Sequence, residues 1–157
     1  MKNALKKGFS FGLTSGVITT LGLMVGLESS TESKLAVIGG ILAIAVADAF
    51  SDALGMHISQ ESEGKNSVKD VWLSTISTFI AKFFFAMTFA VPVLLLSLTT
   101  AVIVSIVWGL SLIGIFSVYM AKLEKISAWK TVFEHVGIAI VVIILTHYLG
   151  HFIKTLG

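Results

Sequence analysis

The chain has no cysteine and no arginine, and among its 157 residues there is one proline, Pro92. Without cysteine there can be no disulfide, no thiolate metal site and no Cys nucleophile. Without arginine no planar fork exists to grip a phosphate or carboxylate in two places, so the 11 basic residues are all lysines. Charge is scarce as well: 13% of residues are charged, against roughly 25% in soluble domains. The formal net charge of +2 is too small to point to nucleic acid. No P-loop, dinucleotide fingerprint or separate soluble domain is visible in the spacing of residues.

What the chain does have is long apolar runs. Hydrophobic residues make up 55% of it, and its mean hydropathy is +0.96. The runs predict an all-α polytopic membrane protein, a single transmembrane domain over 1–157 with five spans at about 9–27, 34–61, 71–96, 98–121 and 131–152. The lysine-bearing start runs into a glycine-rich apolar stretch without a clear small-x-small cleavage site, which reads as a retained first span. Odd-numbered connections carry few lysines and even-numbered ones many. Lys2, Lys6, Lys7, Lys65, Lys69, Lys122, Lys125 and Lys130 fall on one side, and Lys34 and Lys154 on the other. This asymmetry predicts a cytoplasmic N-terminus and an outside C-terminus, with Trp72 and Trp129 at the cytoplasmic interface. The expected location is multi-pass in a prokaryotic cell membrane, with lipid as the surrounding partner.

Local signals mark the ends of the spans. Thr31 or Ser33 is placed to cap the second, Ser67-Val68-Lys69-Asp70 resembles a capping box before the third, and Ser127 precedes the fifth. Pro92 should kink or end the third span. Gly12, Gly16, Gly22 and Gly26 form small-xxx-small pairs on the first span, which suit close helix packing or a homodimer axis. Met24, Met87, Met120 and the phenylalanines at 83, 84, 85 and 89 read as packing residues.

The second span carries the chemistry. Asp48 and Asp52 are four residues apart, about 400° of helical rotation, so they project from one side one turn apart. Measured from the outer boundary at 1.5 Å per residue, Asp48 lies about 20 Å and Asp52 about 26 Å along the helix. Acids at such depth face a bundle interior, a partner charge or a water-filled path. Met56, one turn further, adds a thioether and gives an O,O,S ladder suited to Fe²⁺ or Mn²⁺. Ser15 and Thr19 of span 1 can add hydroxyls. Lys82, near mid-membrane in span 3, is a counter-ion or proton-coupling partner within reach of Asp48. The two acids repel each other, so one of them should take up a proton more readily than a free Asp. His57 with Glu61 and Glu63 could admit a cation at the cytoplasmic end of span 2. His147 and His151, an i,i+4 pair at the outer end of span 5, read either as a solvated interface pair or as a further metal site.

The order of segments resembles the vacuolar iron transporter family of divalent-metal/proton antiporters. Phe11-Gly12-Leu13-Thr14-Ser15-Gly16-Val17-Ile18-Thr19-Thr20 is similar to that family's first-span pattern F-G-x-N-D-G-[LIV]-x-T-T. Ser51-Asp52-Ala53-Leu54-Gly55-Met56-His57-Ile58-Ser59 is similar to its second-span pattern S-M-A-x-G-E-Y-x-S. Pro92, Ala128-Trp129, and Gly137 through Thr146-His147-Tyr148-Leu149-Gly150 resemble the last three segments. Ser15 stands where the family has Asp, Asp52 where it has Met, and Met56 where it has Glu; the cytoplasmic metal-binding insertion is missing. The resemblance implies the fold, dimerisation through the first helices and divalent-metal transport.

The expected function is a secondary transporter that moves a divalent cation, Fe²⁺ or Mn²⁺, out of the cytoplasm against protons. The metal is substrate, with no permanently bound cofactor. The alternative is a transport-inactive, transporter-like binding or assembly module. No Ser/His or Asp/Asp arrangement on separate spans suggests an enzyme.

Overall fold

The computed structural model describes residues 2–156. Among them the chain is helical throughout: α1 (Lys2–Thr31), α2 (Lys34–Ser62), α3 (Val68–Thr88), α4 (Ala90–Leu95), α5 (Leu98–Glu124) and α6 (Ala128–Lys154). Five segments are long and apolar enough to cross a membrane: Asn3–Thr31, Lys34–Ser62, Val68–Leu95, Leu98–Glu124 and Ala128–Lys154. Most helices outrun their apolar stretches by a turn or more. Backbone hydrogen bonding does not stop where hydropathy falls, and lysine, glutamate and serine all continue a helix at modest cost.

The third span breaks where its proline requires. Pro92 has no N–H for the carbonyl of Thr88, and its ring crowds that oxygen. α3 accordingly ends at Thr88, and Phe89 closes a tighter turn with a 3.1 Å bond to the carbonyl of Ala86. Ser67 caps α3 as expected: its Oγ accepts from the N–H of Asp70 at 3.2 Å and donates to the Asp70 carboxylate at 2.9 Å. Ser33 accepts from the N–H of Ala36 and caps α2, while Thr31 stays within α1. Ser127 occupies the cap position of α6, but its side chain makes no cap bond.

Two compact units divide the chain, and the long helices α1 and α2 contribute to both. Unit 1 is Met1–Thr20 with Ile41–Ala90; unit 2 is Leu21–Gly40 with Val91–Gly157. Unit 1 is held by a row of glycines on α1 set against α3. Gly8, Gly12 and Gly16 stand opposite the backbone of Ser74, Thr78 and Lys82, each row advancing four residues at a time. The constant offset means that these helices run parallel, and the missing side chains let the backbones touch. Thr78 Oγ1 donates to the carbonyls of Ser74, at 2.8 Å, and of Gly8 across the contact, at 3.2 Å.

Within the same unit α2 buries a narrow stripe of Ile41, Ala45, Ala49, Ala53, Met56 and Gln60. The stripe one residue on, about 100° round the helix, is exposed: Leu42, Val46, Phe50, Leu54 and Ile58. An outward apolar stripe at a four-residue repeat is what lipid contact requires of a spanning helix.

In unit 2 the remaining glycines of the first span meet α6. A Cβ on Gly22 would lie 2.9 Å from Val142, and one on Gly150 would lie 2.5 Å from the carbonyl of Gly26. α5 packs on α6. Lys34 donates to the carbonyls of Leu94 and Leu96, at 3.2 and 3.0 Å, and so satisfies the open end of α4.

A Cβ at Gly12 would sit 2.5 Å from the Thr78 carbonyl oxygen, and neither backbone can yield cheaply. Gly12→Ala is expected to destabilise the protein by about 1–3 kcal/mol. Gly39→Ala, with nothing within 4 Å of the new atom, should be neutral or stabilising by about 0.5–1 kcal/mol. Thermal unfolding of the purified variants in detergent reads both.

Candidate functional site around Lys82

Lys82 is the largest side chain among the fully buried residues, with 1% of its surface exposed. It lies in α3 directly after the hydroxyl row Ser74 and Thr78, and Gly16 admits it: the glycine's would-be Cβ lies 3.2 Å from both Cα and Cγ of Lys82. Any larger residue at 16 would displace the lysine.

The ammonium of Lys82 is shared among three partners. It forms an ion pair with Asp48 Oδ2 at 2.5 Å and a second with Asp52 Oδ2, and it donates to Ser15 Oγ at 2.9 Å. Ser15 in turn donates to Asp52 Oδ2 at 2.6 Å. The Asp48 contact is a charge pairing without the directionality of a hydrogen bond. An ammonium has three protons, and three oxygens from α1 and α2 surround this one. Both acids therefore have a companion charge at membrane depth, and Asp52, which by its position could have stood in solvent, is bound as closely as Asp48. The two carboxylates and one ammonium sum to a formal charge of −1. The side chains of Asp48 and Asp52 remain 28% and 21% exposed, whereas Lys82 is sealed.

Of the residues singled out in the sequence, Ser15, Asp48, Asp52 and Lys82 come together. The depth argument allowed Lys82 to reach Asp48; the structure gives it Asp52 and Ser15 as well. Met56 lies one turn further along α2, 8% exposed and outside the hydrogen-bonded cluster. Among the described residues, no group of three or more His, Cys, Asp or Glu side chains is arranged to hold a metal ion.

His57 makes a separate contact with α3. His57 Nδ1 lies 3.0 Å from Thr75 Oγ1, which also donates to the carbonyl of Val71 at 2.8 Å. Nε2 of the same ring stands 3.8 Å from Glu61, with the edge of Trp72 against the imidazole. His147 and His151 belong to unit 2, their rings stacked at 5.9 Å, with His147 Nδ1 bonded to Ser29 Oγ at 2.8 Å.

A second polar group of unit 1 is not evident from spacing. Lys7 pairs with Glu63 at 2.5 Å, and Gln60 and Asn66 donate their amide protons to the same carboxylate. Glu63 therefore differs from a free solvated helix end. The Lys7 ammonium, and after it Asn66, holds its carboxyl below the ordinary value of 4.5. In unit 2 Lys154, with a smaller contribution from His151, does the same for Glu32.

No protein-family model matches the chain, and no curated protein matches it at a significant level.

Replacing Lys82 by Met leaves two half-buried carboxylates without their shared counter-charge and should cost about 3 kcal/mol. Adding Asp52→Asn to Lys82→Met should recover part of that loss, because one of the opposing charges is gone. A double-mutant cycle by thermal unfolding measures the coupling. For Glu63 and Glu32, folded pKa values below the ordinary one mean that both pairs stabilise fully above about pH 4.5 and fade as pH falls through the lowered values. Acid destabilisation in that range should be reduced in Glu63→Gln and in Glu32→Gln.

Proposed function

We propose that the protein is a proton-coupled cation transporter whose ion site is Asp48, Asp52 and Ser15, with Lys82 as a resident cation in the state described above. The observation that carries this reading is a fully buried lysine shared by two acids within membrane-spanning helices. Intramembrane ionisable residues are costly, and they mark ion pathways and proton relays.

Charge selects the substrate class. Two carboxylates without the lysine carry −2, which matches a divalent cation. Binding such a cation while Lys82 gives up one proton takes the cluster from −1 to 0, so uptake of the ion is tied to release of a proton. Oxygen donors from Asp48, Asp52 and Ser15 suit Mn²⁺ among the transition metals, and the motif order that resembles that of vacuolar iron transporters supports Fe²⁺ beside it. The lysine asymmetry of the connections supports a cytoplasmic N-terminus and hence export from the cytoplasm. A homodimer would use faces of α1 other than the glycine rows, because Gly8, Gly12 and Gly16 are occupied by α3.

The two ion pairs and the serine hydrogen bond that hold a sealed Lys82 favour one other reading, a permanent staple in a transport-inactive module. Flux distinguishes the two. In proteoliposomes with a pH gradient, Asp52→Asn and Asp48→Asn are each expected to lower Mn²⁺ and Fe²⁺ flux at least about tenfold, a change of about 1.4 kcal/mol in the barrier. They should also alter its pH dependence while the protein still elutes as a monodisperse species. Unchanged flux and pH profile would leave only the staple.

A further inference from the structure

Unit 1 has an apolar groove of about 330 Å³ between α1 and α3. Leu5 and Phe9 of α1 form one wall, and Leu73, Ile76, Ile80 and Phe84 of α3 form the other. The glycine seam produces it. Gly8 and Gly12 draw the two backbones together, and the large side chains on one flank of the seam stand apart on either side of a furrow. Ser77, the one hydroxyl in the lining, donates to the carbonyl of Leu5 at 3.0 Å. Leu5, Phe9, Ile76, Ile80 and Phe84 are all exposed. From Leu73 to Phe84 the α3 wall runs about 16 Å, half of the ~30 Å hydrocarbon core. The groove is therefore as long as one leaflet is deep.

One end of the groove is positively charged. Lys69 precedes Leu73 by four residues, on the face of α3 that carries Ile76 and Ile80, and Lys6 adjoins Leu5 on α1. The register of Gly8 with Ser74 sets Lys6 level with Trp72, less than one turn from Lys69. Trp72 is exposed at that level, as suits a tryptophan at a membrane interface. Lys6 and Lys69 are exposed too, and among the described residues neither makes a hydrogen bond or an ion pair. Lys7, on the same turn as Lys6, is instead held by Glu63. Asp70 belongs to the polar cavity that it lines with Lys7 and Glu63, and its carboxylate accepts from Ser67.

We propose that this groove is a binding site for an anionic phospholipid, with one acyl chain along the furrow and the headgroup charge held by Lys6 and Lys69. An apolar trough one leaflet long fits the chain, and two uncommitted ammonium groups at its mouth fit a net negative headgroup. A second copy of the protein fits the same face less well. Paired about a twofold axis along the membrane normal, both copies would bring Lys6 and Lys69 to one level, like charge against like. The site uses no residue of the Lys82 cluster and does not depend on ion transport.

Native mass spectrometry of the purified full-length protein, titrated in detergent with dioleoyl phosphatidylglycerol or dioleoyl phosphatidylcholine, reads bound lipid and oligomeric state together. The anionic lipid should bind at least about tenfold more tightly than the zwitterionic one. Lys6→Gln with Lys69→Gln, both at exposed positions, should bring the two lipids to within about twofold of each other. Lys122→Gln with Lys130→Gln removes the same charge from a different connection and should leave the preference intact. Ile76→Trp, which fills the groove, should weaken the binding of both lipids. Equal binding of the two lipids by the unaltered protein would overturn the proposal, as would a preference that survives the Lys6 and Lys69 changes or is lost equally with those at Lys122 and Lys130. A dimer that Ile76→Trp converts to monomer, with lipid binding unchanged, would overturn it in favour of a second copy.

Discussion

A single ammonium group holds three helices of unit 1 to one another. Lys82 leaves α3 opposite a glycine, enters a space closed to solvent, and meets Asp48 and Asp52 of α2 and Ser15 of α1. Neither the lysine nor either aspartate is cheap to hold alone at that depth. Together the carboxylates compensate the ammonium, and the serine hydroxyl bridges lysine to aspartate. The arrangement is specific because each partner has few alternatives in surroundings that supply no water.

The packing that surrounds the cluster follows from the need to bring a lysine backbone close to α1. Gly8, Gly12 and Gly16 remove the side chains that would keep α3 away, and the hydroxyls of Ser74 and Thr78 turn onto main-chain carbonyls. The α1–α3 contact is thus a smooth seam with its polar atoms satisfied locally. On α2, alanines at 45, 49 and 53 do the corresponding work on the buried stripe beside the acids. Small residues at four-residue intervals keep the helices close without a large hydrophobic driving force, which lipid surroundings do not provide.

The same cluster combines stability with the potential for change. A buried ion pair contributes little net stability compared with an apolar core, but the loss of one partner is severe. Such a site can exchange one cation for another only if something replaces the lysine charge as it is withdrawn. In the proposed transporter the lysine charge and the incoming ion are alternatives for the same carboxylates. Asp48 and Asp52 keep a residual exposure beside a lysine that has almost none.

Much of this was legible in one dimension. Apolar runs of more than twenty residues can only be satisfied as spanning helices, so the five segments, the break before Pro92 and the Ser67 cap follow from hydropathy, proline geometry and capping rules. The four-residue spacing of Asp48 and Asp52 marked them as one face because helical periodicity is local. Tertiary structure alone decided that Lys82 binds both acids and Ser15, that the glycines of α1 are divided between α3 and α6, and that Lys7, Gln60 and Asn66 converge on Glu63. Apart from the local bonds of Gln60 and Asn66 to Glu63, these are contacts between residues tens of positions apart, and the offset between two helices is set by how their side chains interlock, which no local pattern encodes. Met56 shows the limit most clearly: helical spacing puts it on the acidic face, and only the packing of the helices shows it buried outside the ionic cluster.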